Sequence, residues 1–162
     1  MNHDVDNPVE LLLVEDNAGD VRLAREGLRE CRMQSRLHVA KDGVEAMAFL
    51  RQQGEYADAP RPDLVILDLN LPRKDGREVL KEIKEEDTLK GIPVVILTTS
   101  KAEEDIYRSY DLGVNSFISK PVNFGGMTRV MQALGAYWFE IVELPPERGE
   151  RNGKAGPPGA AG

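Results

Sequence analysis

Residues 64–76 read LVILDLNLPRKDG. A short run of leucine and β-branched residues ends in an acid, Asp68, and a few residues later Val79, Leu80 and Ile83 recur at helical spacing. A strand that hands over to an amphipathic helix in this way is one βα unit. The same alternation runs along the rest of the chain. Short apolar runs at residues 10–15, 36–40, 93–98 and 116–119 are separated by helical patterns, among them Val21, Ala24, Leu28 and Cys31, and later Met127, Val130, Met131, Leu134 and Trp138. Such alternation predicts an α/β fold, a doubly wound parallel sheet of five strands with helices on both faces. The expected order is 2-1-3-4-5, the flavodoxin-like arrangement. Asp42 with Glu45, and Ser100 with Glu103, have capping-box spacing ahead of helices, and Gly91-Ile92-Pro93 separates the third helix from the fourth strand. The helix predicted around Tyr107 has the sparsest apolar face.

A chain of 162 residues, 41% hydrophobic and 30% charged, suits one globular domain. The predicted layout is a lead at residues 1–8, a folded domain at 9–144 and a disordered Pro/Gly-rich tail at 145–162. The 18 residues after Leu144 are too few for a helix-turn-helix or a catalytic output module. No apolar run approaches the roughly 20 residues that span a bilayer. The opening MNHDVDNPVE has no apolar core of a secretory signal and Cys31 stands alone, so the expected location is the cytoplasm. A net charge of -7 argues against nucleic acid as a partner, because that affinity comes from clustered Lys and Arg.

The chemistry-bearing residues gather at strand ends. Glu15 and Asp16 follow the first strand, Asp68 the third, Thr98 the fourth and Lys120 the fifth. In open α/β sheets ligands bind beyond the carboxyl ends of the strands, where the strand order reverses. With order 2-1-3-4-5 the first and third strands are neighbours there, and Glu15, Asp16 and Asp68 converge. Carboxylates so close repel unless a proton or a cation intervenes. Oxygen donors without His or Cys point to a hard cation, and few protein ligands with room for water and phosphate suit Mg²⁺. A carboxylate can attack phosphorus to form an aspartyl phosphate when the entering charge is neutralised in place. Mg²⁺ and Lys120 are suited to that task, and the Thr98 hydroxyl to a hydrogen bond with one phosphoryl oxygen.

Four motifs in order, LLLVEDN at 11–17, LVILDLNLPRKDG at 64–76, VVILTTS at 94–100 and FISKP at 117–121, resemble the receiver domains of two-component systems; the resemblance covers residues 9–138. It implies that Asp68 is the phosphoacceptor, that Asp16 and Asp68 bind Mg²⁺ directly, that Glu15 helps through water and that Asn70 lends its backbone carbonyl. It implies catalytic roles for Thr98 and Lys120 and a cis bond before Pro121. It also implies a switch, in which the Thr98 hydroxyl moves inward, the aromatic ring of Phe117 follows, and the face formed by the helix around Tyr107, the fifth strand and the last helix changes. Phe117 has no hydroxyl to donate. A receiver of this kind catalyses its own phosphorylation and dephosphorylation, is otherwise not an enzyme, and gives its output through protein contacts.

The segments DNAGDVRLAREGL, LHVAKDGVEAMAFLRQQGEYADAPRPDL and AYWFEIVELP are similar to single-domain regulators paired with phytochrome-type histidine kinases. That similarity implies such a kinase as phosphodonor and a homodimer formed through the C-terminal face or an exchanged arm; the alternative role is a phosphorelay intermediate or phosphate sink for another kinase. Tyr137, Trp138 and Phe139 support a second surface independently, since three adjacent aromatics cannot all face one side of a helix. Two departures stand out: Thr99 sits where many receivers carry Ala or Gly, and Gly125-Gly126 is unusual at the start of a helix.

Other readings fit the residues less well. A phosphohydrolase using an aspartyl phosphate needs an acid two residues after the nucleophile, where this chain has Asn70. A flavodoxin-type carrier needs a hydroxyl- and Gly-rich loop after the first strand, where Glu15 and Asp16 would repel FMN phosphate. A purely binding pseudo-receiver would not need all five site residues. His38 reads as a tolerated edge or surface residue and Cys31 as a small buried hydrophobe at a helix end. Removing residues 146–162 is expected to leave the thermal midpoint nearly unchanged; a drop of many degrees in a melting curve would show that the tail packs.

Overall fold

A computed structural model describes residues 8–31, 34–69, 71, 74–98, 102, 116–119 and 126–136. Its strands are β1 (Val9–Val14), β2 (Ser35–Ala40), β3 (Leu64–Asp68), β4 (Val94–Thr98) and β5 (Ser116–Ser119), and its helices α1 (Ala18–Arg29), α2 (Gly43–Arg51), α3 (Gly76–Glu85) and α4 (Gly126–Ala136), with a short 3₁₀ turn at Gly54–Tyr56. The strands form one parallel sheet in the order β2-β1-β3-β4-β5, as the alternation predicts.

Continuous apolar runs make the central strands because both faces are covered. Every residue of β3 and β4 is buried, and along β1 only Glu10 is partly exposed. Successive side chains point to opposite faces, so the sheet divides its own residues between two cores. Leu12, Val14, Val65, Leu67, Val94 and Ile96 pack with Met47, Val79, Leu80 and Ile83 of α2 and α3. Leu11, Leu13, Leu64, Ile66, Val95 and Leu97 pack with Ala24, Leu28, Met127 and Met131 of α1 and α4.

β2 lies outside β1 and is only partly buried, which is why it tolerates Arg36 and His38. His38 is the edge-strand residue expected, and it has a partner on the neighbouring strand. Its Nε2 lies 2.7 Å from Glu10 Oε1 on β1, and Arg36 Nη1 donates to Glu10 Oε2 at 3.0 Å. Across the outer side of β2, Arg25 of α1 directs its guanidinium to the Leu37 carbonyl at 3.4 Å. The strand limits differ slightly from prediction. β4 starts at Val94 because Pro93 has no N–H to enter a ladder, although its carbonyl still accepts from Val65 N at 3.0 Å.

The starts of α1, α2 and α3 carry side-chain caps. Asn17 accepts from Asp20 N at 2.9 Å and Asp42 from Glu45 N at 2.8 Å. The expected box at Asp42 and Glu45 is only half formed. Glu45 reaches past the cap to Lys41 N, and its other oxygen takes the Tyr56 hydroxyl at 2.6 Å. The complete box belongs to Asp75 and Glu78, each accepting from the other's backbone N–H, at the head of α3. Ser100 and the helix predicted around Tyr107 lie outside the described residues, as do Tyr137, Trp138, Phe139 and the tail.

α1 and α4 pack at close range. An atom added at the Cβ position of Gly27 would lie 2.5 Å from the Thr128 carbonyl oxygen, so only glycine permits the approach. Thr128 Oγ1 donates to the Leu23 carbonyl at 3.1 Å, and Gln132 Nε2 to Glu30 Oε1 at 2.6 Å. Cys31, half-buried just past α1, donates its thiol to the Gly27 carbonyl at 3.3 Å. Burial, assisted by neighbouring Glu30, pushes its pKa up, which keeps the thiol protonated and unreactive at neutral pH. No helix among the described residues is long and apolar enough to cross a membrane. Replacing Asp75 by Ala removes the closed capping box of α3 and is expected to cost about 1 kcal/mol of stability in urea denaturation; a change of a few tenths would show that Glu78 alone holds the helix start.

Candidate functional site

β1 and β3 are hydrogen-bonded neighbours, with Val14 opposite Leu67, yet the chain leaves them toward opposite sides of the sheet. This is the point where the strand order reverses, the place where open α/β sheets bind their ligands. Glu15 stays anchored as β1 ends, its N–H donating to the Ala40 carbonyl at 2.9 Å. Its side chain folds back and accepts from Asn17 N at 3.1 Å, which fixes one carboxylate oxygen beside the α1 cap. The helix cap is Asn17, so neither Glu15 nor Asp16 is occupied with that role. Asp68 ends β3 and is 1% exposed, as is Glu15, while Asp16 is open to solvent.

One carboxylate oxygen from each of Glu15, Asp16 and Asp68 lies within 4.8 Å of the others. The predicted convergence is therefore present. At about 4 Å, two unit charges in an effective dielectric of about 20 repel by about 4 kcal/mol. Exposed acids shed such repulsion into water; here two of the three are buried, and a cation is the natural means of holding them together. The donor set is all oxygen, with no His or Cys in the group among the described residues, which fits a hard divalent ion. Asp16 keeps one side of the group in contact with water.

Thr98 ends β4 next to β3, where Asp68 pairs with Leu97 and Leu69 N donates to the Leu97 carbonyl at 3.2 Å. It is 2% exposed, on the same edge of the sheet as the acids. β5 brings Ser119 opposite Thr98, and Phe117 opposite Ile96, by backbone register. Lys120, Asn70, Pro121, Thr99 and Gly125 lie outside the described residues, as does the side chain of Phe117; Gly126 is the buried first residue of α4. One position that sequence reasoning passes over lies at the same end of the sheet. Gly43 opens α2, and an atom at its Cβ position would lie 2.1 Å from the carbonyl oxygen of Lys74, in the loop that follows Asp68. The one visible signal was a glycine in the first turn of a helix, where nearly any other residue is a better helix former.

The chain belongs to the response regulator receiver domain family, whose pattern it matches over residues 11–132. Within that family it is similar to the response regulators of phytochromes. It is 48% identical over 145 residues to the response regulator Rcp1 of Synechocystis sp., covering 90% of this chain and 99% of that one. The Mn²⁺-bound crystal structure of Rcp1 superposes with a TM-score of 0.77 at 50% identity, over 85% of this chain and 99% of the other. The phosphorylated cyanobacterial phytochrome response regulator RcpA gives the same figures, 0.77 and 50%, with the same coverage. The bacteriophytochrome response regulator AtBRR follows at 45% identity and a TM-score of 0.67, over 81% of this chain and 95% of that one.

A ligand that binds only the folded chain stabilises it by about 2.7 kcal/mol at a hundred times its dissociation constant. Saturating Mn²⁺ is therefore expected to raise the thermal midpoint of the unmodified chain by several degrees, and Asp16→Asn to lose most of that rise in the same melting experiment. An equal rise in both would show that the acids are not the binding site.

Proposed function

We propose that this chain is a response regulator that takes a phosphoryl group on Asp68 from a histidine kinase, with a phytochrome-type kinase as the partner. The observation that carries the proposal is the meeting of Glu15, Asp16 and Asp68 within 4.8 Å at the strand-order reversal, with two of the three buried. The phosphorylated RcpA and the Mn²⁺-bound Rcp1, each 50% identical, support it.

Asp16 and Asp68 hold the cation directly, Glu15 through water, and Asn70 through its backbone carbonyl. Mg²⁺ is the assigned ion, since it keeps several waters and combines few protein carboxylates with phosphate oxygens. When bound, it offsets the negative charge that the carboxylates and the phosphoryl group bring together. A carboxylate oxygen of Asp68 attacks phosphorus, the P–N bond of the kinase phosphohistidine breaks, and the released imidazole takes up a proton. Lys120 pairs with one phosphoryl oxygen and Thr98 donates its hydroxyl to another. The pull on Thr98, with Phe117 following, carries the change to the face that meets other proteins.

The chain turns over no substrate beyond its own phosphoryl group. The domain occupies residues 9–144, between a lead at 1–8 and a tail at 145–162. It works in the cytoplasm and signals as a homodimer through its C-terminal face or an exchanged C-terminal arm. Incubation with Mg²⁺ and acetyl phosphate is expected to add about 80 Da, one phosphoryl group, in intact-mass analysis, labile to mild base and absent in Asp68→Asn. No adduct on the unmodified chain, or an adduct that survives in Asp68→Asn, would overturn the assignment.

A further inference from the structure

The turn between β2 and α2 joins the two halves of the acidic site. At one end, the Ala40 carbonyl accepts the N–H of Glu15 at 2.9 Å and so ties the turn to the segment carrying Glu15 and Asp16. At the other end, the Cα of Gly43 sits against Lys74 in the loop that leaves Asp68. A Cβ at Gly43 would lie 2.1 Å from the Lys74 carbonyl oxygen, 2.7 Å from its Cβ and 2.8 Å from its carbonyl carbon. These are mostly backbone atoms, which cannot rotate away as the end of a flexible side chain can. Lys74 is also held from the far side. Its ammonium pairs with Glu82 of α3, and Glu82 is shared with Arg51 of α2 at 2.9 Å. Burial opposes charge on Glu82, but Lys74 and Arg51 outweigh it and keep its carboxyl below the usual range, so the pairing persists at neutral pH.

We infer that Gly43 is a positioning residue for the metal: its missing side chain sets the spacing between the Glu15–Asp16 segment and the loop after Asp68. The inference rests on the reading of Glu15, Asp16 and Asp68 as a divalent-cation site. Any side chain at position 43 has to push the Lys74 backbone away by roughly 1 Å to reach ordinary contact. The hydrogen bond between Glu15 and Ala40 ties the turn to the Glu15–Asp16 segment, so the displacement is taken up on the side of Lys74 and the loop after Asp68. An octahedral ion at about 2.1 Å from its oxygens tolerates little of that.

The test compares Mn²⁺ binding, read from the electron paramagnetic resonance of the free ion, in the unmodified chain, Gly43→Ala and Gly27→Ala, each well below its melting temperature. Gly27 is the control because its approach to Thr128 is nearly as close but lies between α1 and α4. Gly43→Ala is expected to bind Mn²⁺ about tenfold more weakly, whereas Gly27→Ala loses thermal stability and keeps the parental affinity. Parental affinity in Gly43→Ala, or an equal loss in Gly27→Ala, would overturn the inference and leave the metal site standing. Absence of binding by the unmodified chain would overturn the site itself and the inference with it. Should Gly43→Ala fail to fold, Lys74→Met frees the loop from Glu82 without crowding. Removing a positive charge does not by itself weaken the binding of a cation, so the expected weakening of about threefold has the opposite sign to any charge effect. Equal or tighter binding in Lys74→Met would then count against Gly43.

Discussion

Three carboxylates can be kept near one another only by a frame that does not yield to their repulsion, and here the frame is the pairing of β1 with β3. Four successive register pairs, from Leu11 with Leu64 to Val14 with Leu67, hold the strand ends side by side. Side chains buried on both faces prevent either strand from sliding, since a slip of one residue would turn every core residue to the opposite layer. Asp68 is the last residue of β3, and Glu15 and Asp16 follow β1 directly. Their electrostatic strain is thus balanced by packing a whole sheet away, and a divalent ion can act without first having to assemble its ligands.

The same division of labour explains what the sequence made legible. Central strands in this fold have no polar face, so β3 and β4 stood out as apolar runs, and their last residues, Asp68 and Thr98, fell at one end of the sheet with Glu15 and Asp16 once the order was known. The caps were only partly legible. Asp42 and Glu45 have the right spacing, but Glu45 is drawn to Lys41 and Tyr56, and neither contact follows from spacing. The closed box at Asp75 and Glu78 lay inside a motif whose other residues drew the chemical reading.

What escaped were contacts between segments distant in sequence. His38 and Glu10 meet because β2 lies beside β1 in a particular register, and Gly43 meets Lys74 because two loops cross the same end of the sheet. A string of residues carries types and intervals but no distances across the fold. A glycine required by space therefore looks the same as one that is merely tolerated. The roles given to Lys120, Asn70 and Phe117 rest on motif and family rather than on contacts, since Asn70, Lys120 and the Phe117 side chain lie outside the described residues.

The side of β2 turned away from β1 has a further consequence for how copies of the chain meet. A parallel sheet that ends in a bare strand invites another strand to add to it. Along this border a guanidinium already occupies the Leu37 carbonyl, and Arg36, 62% exposed, stands among the side chains that a newcomer would have to cover. Extending the sheet there would mean giving up the first contact and stripping water from a charge. Among the described residues, these two features set a cost on adding a strand along this border.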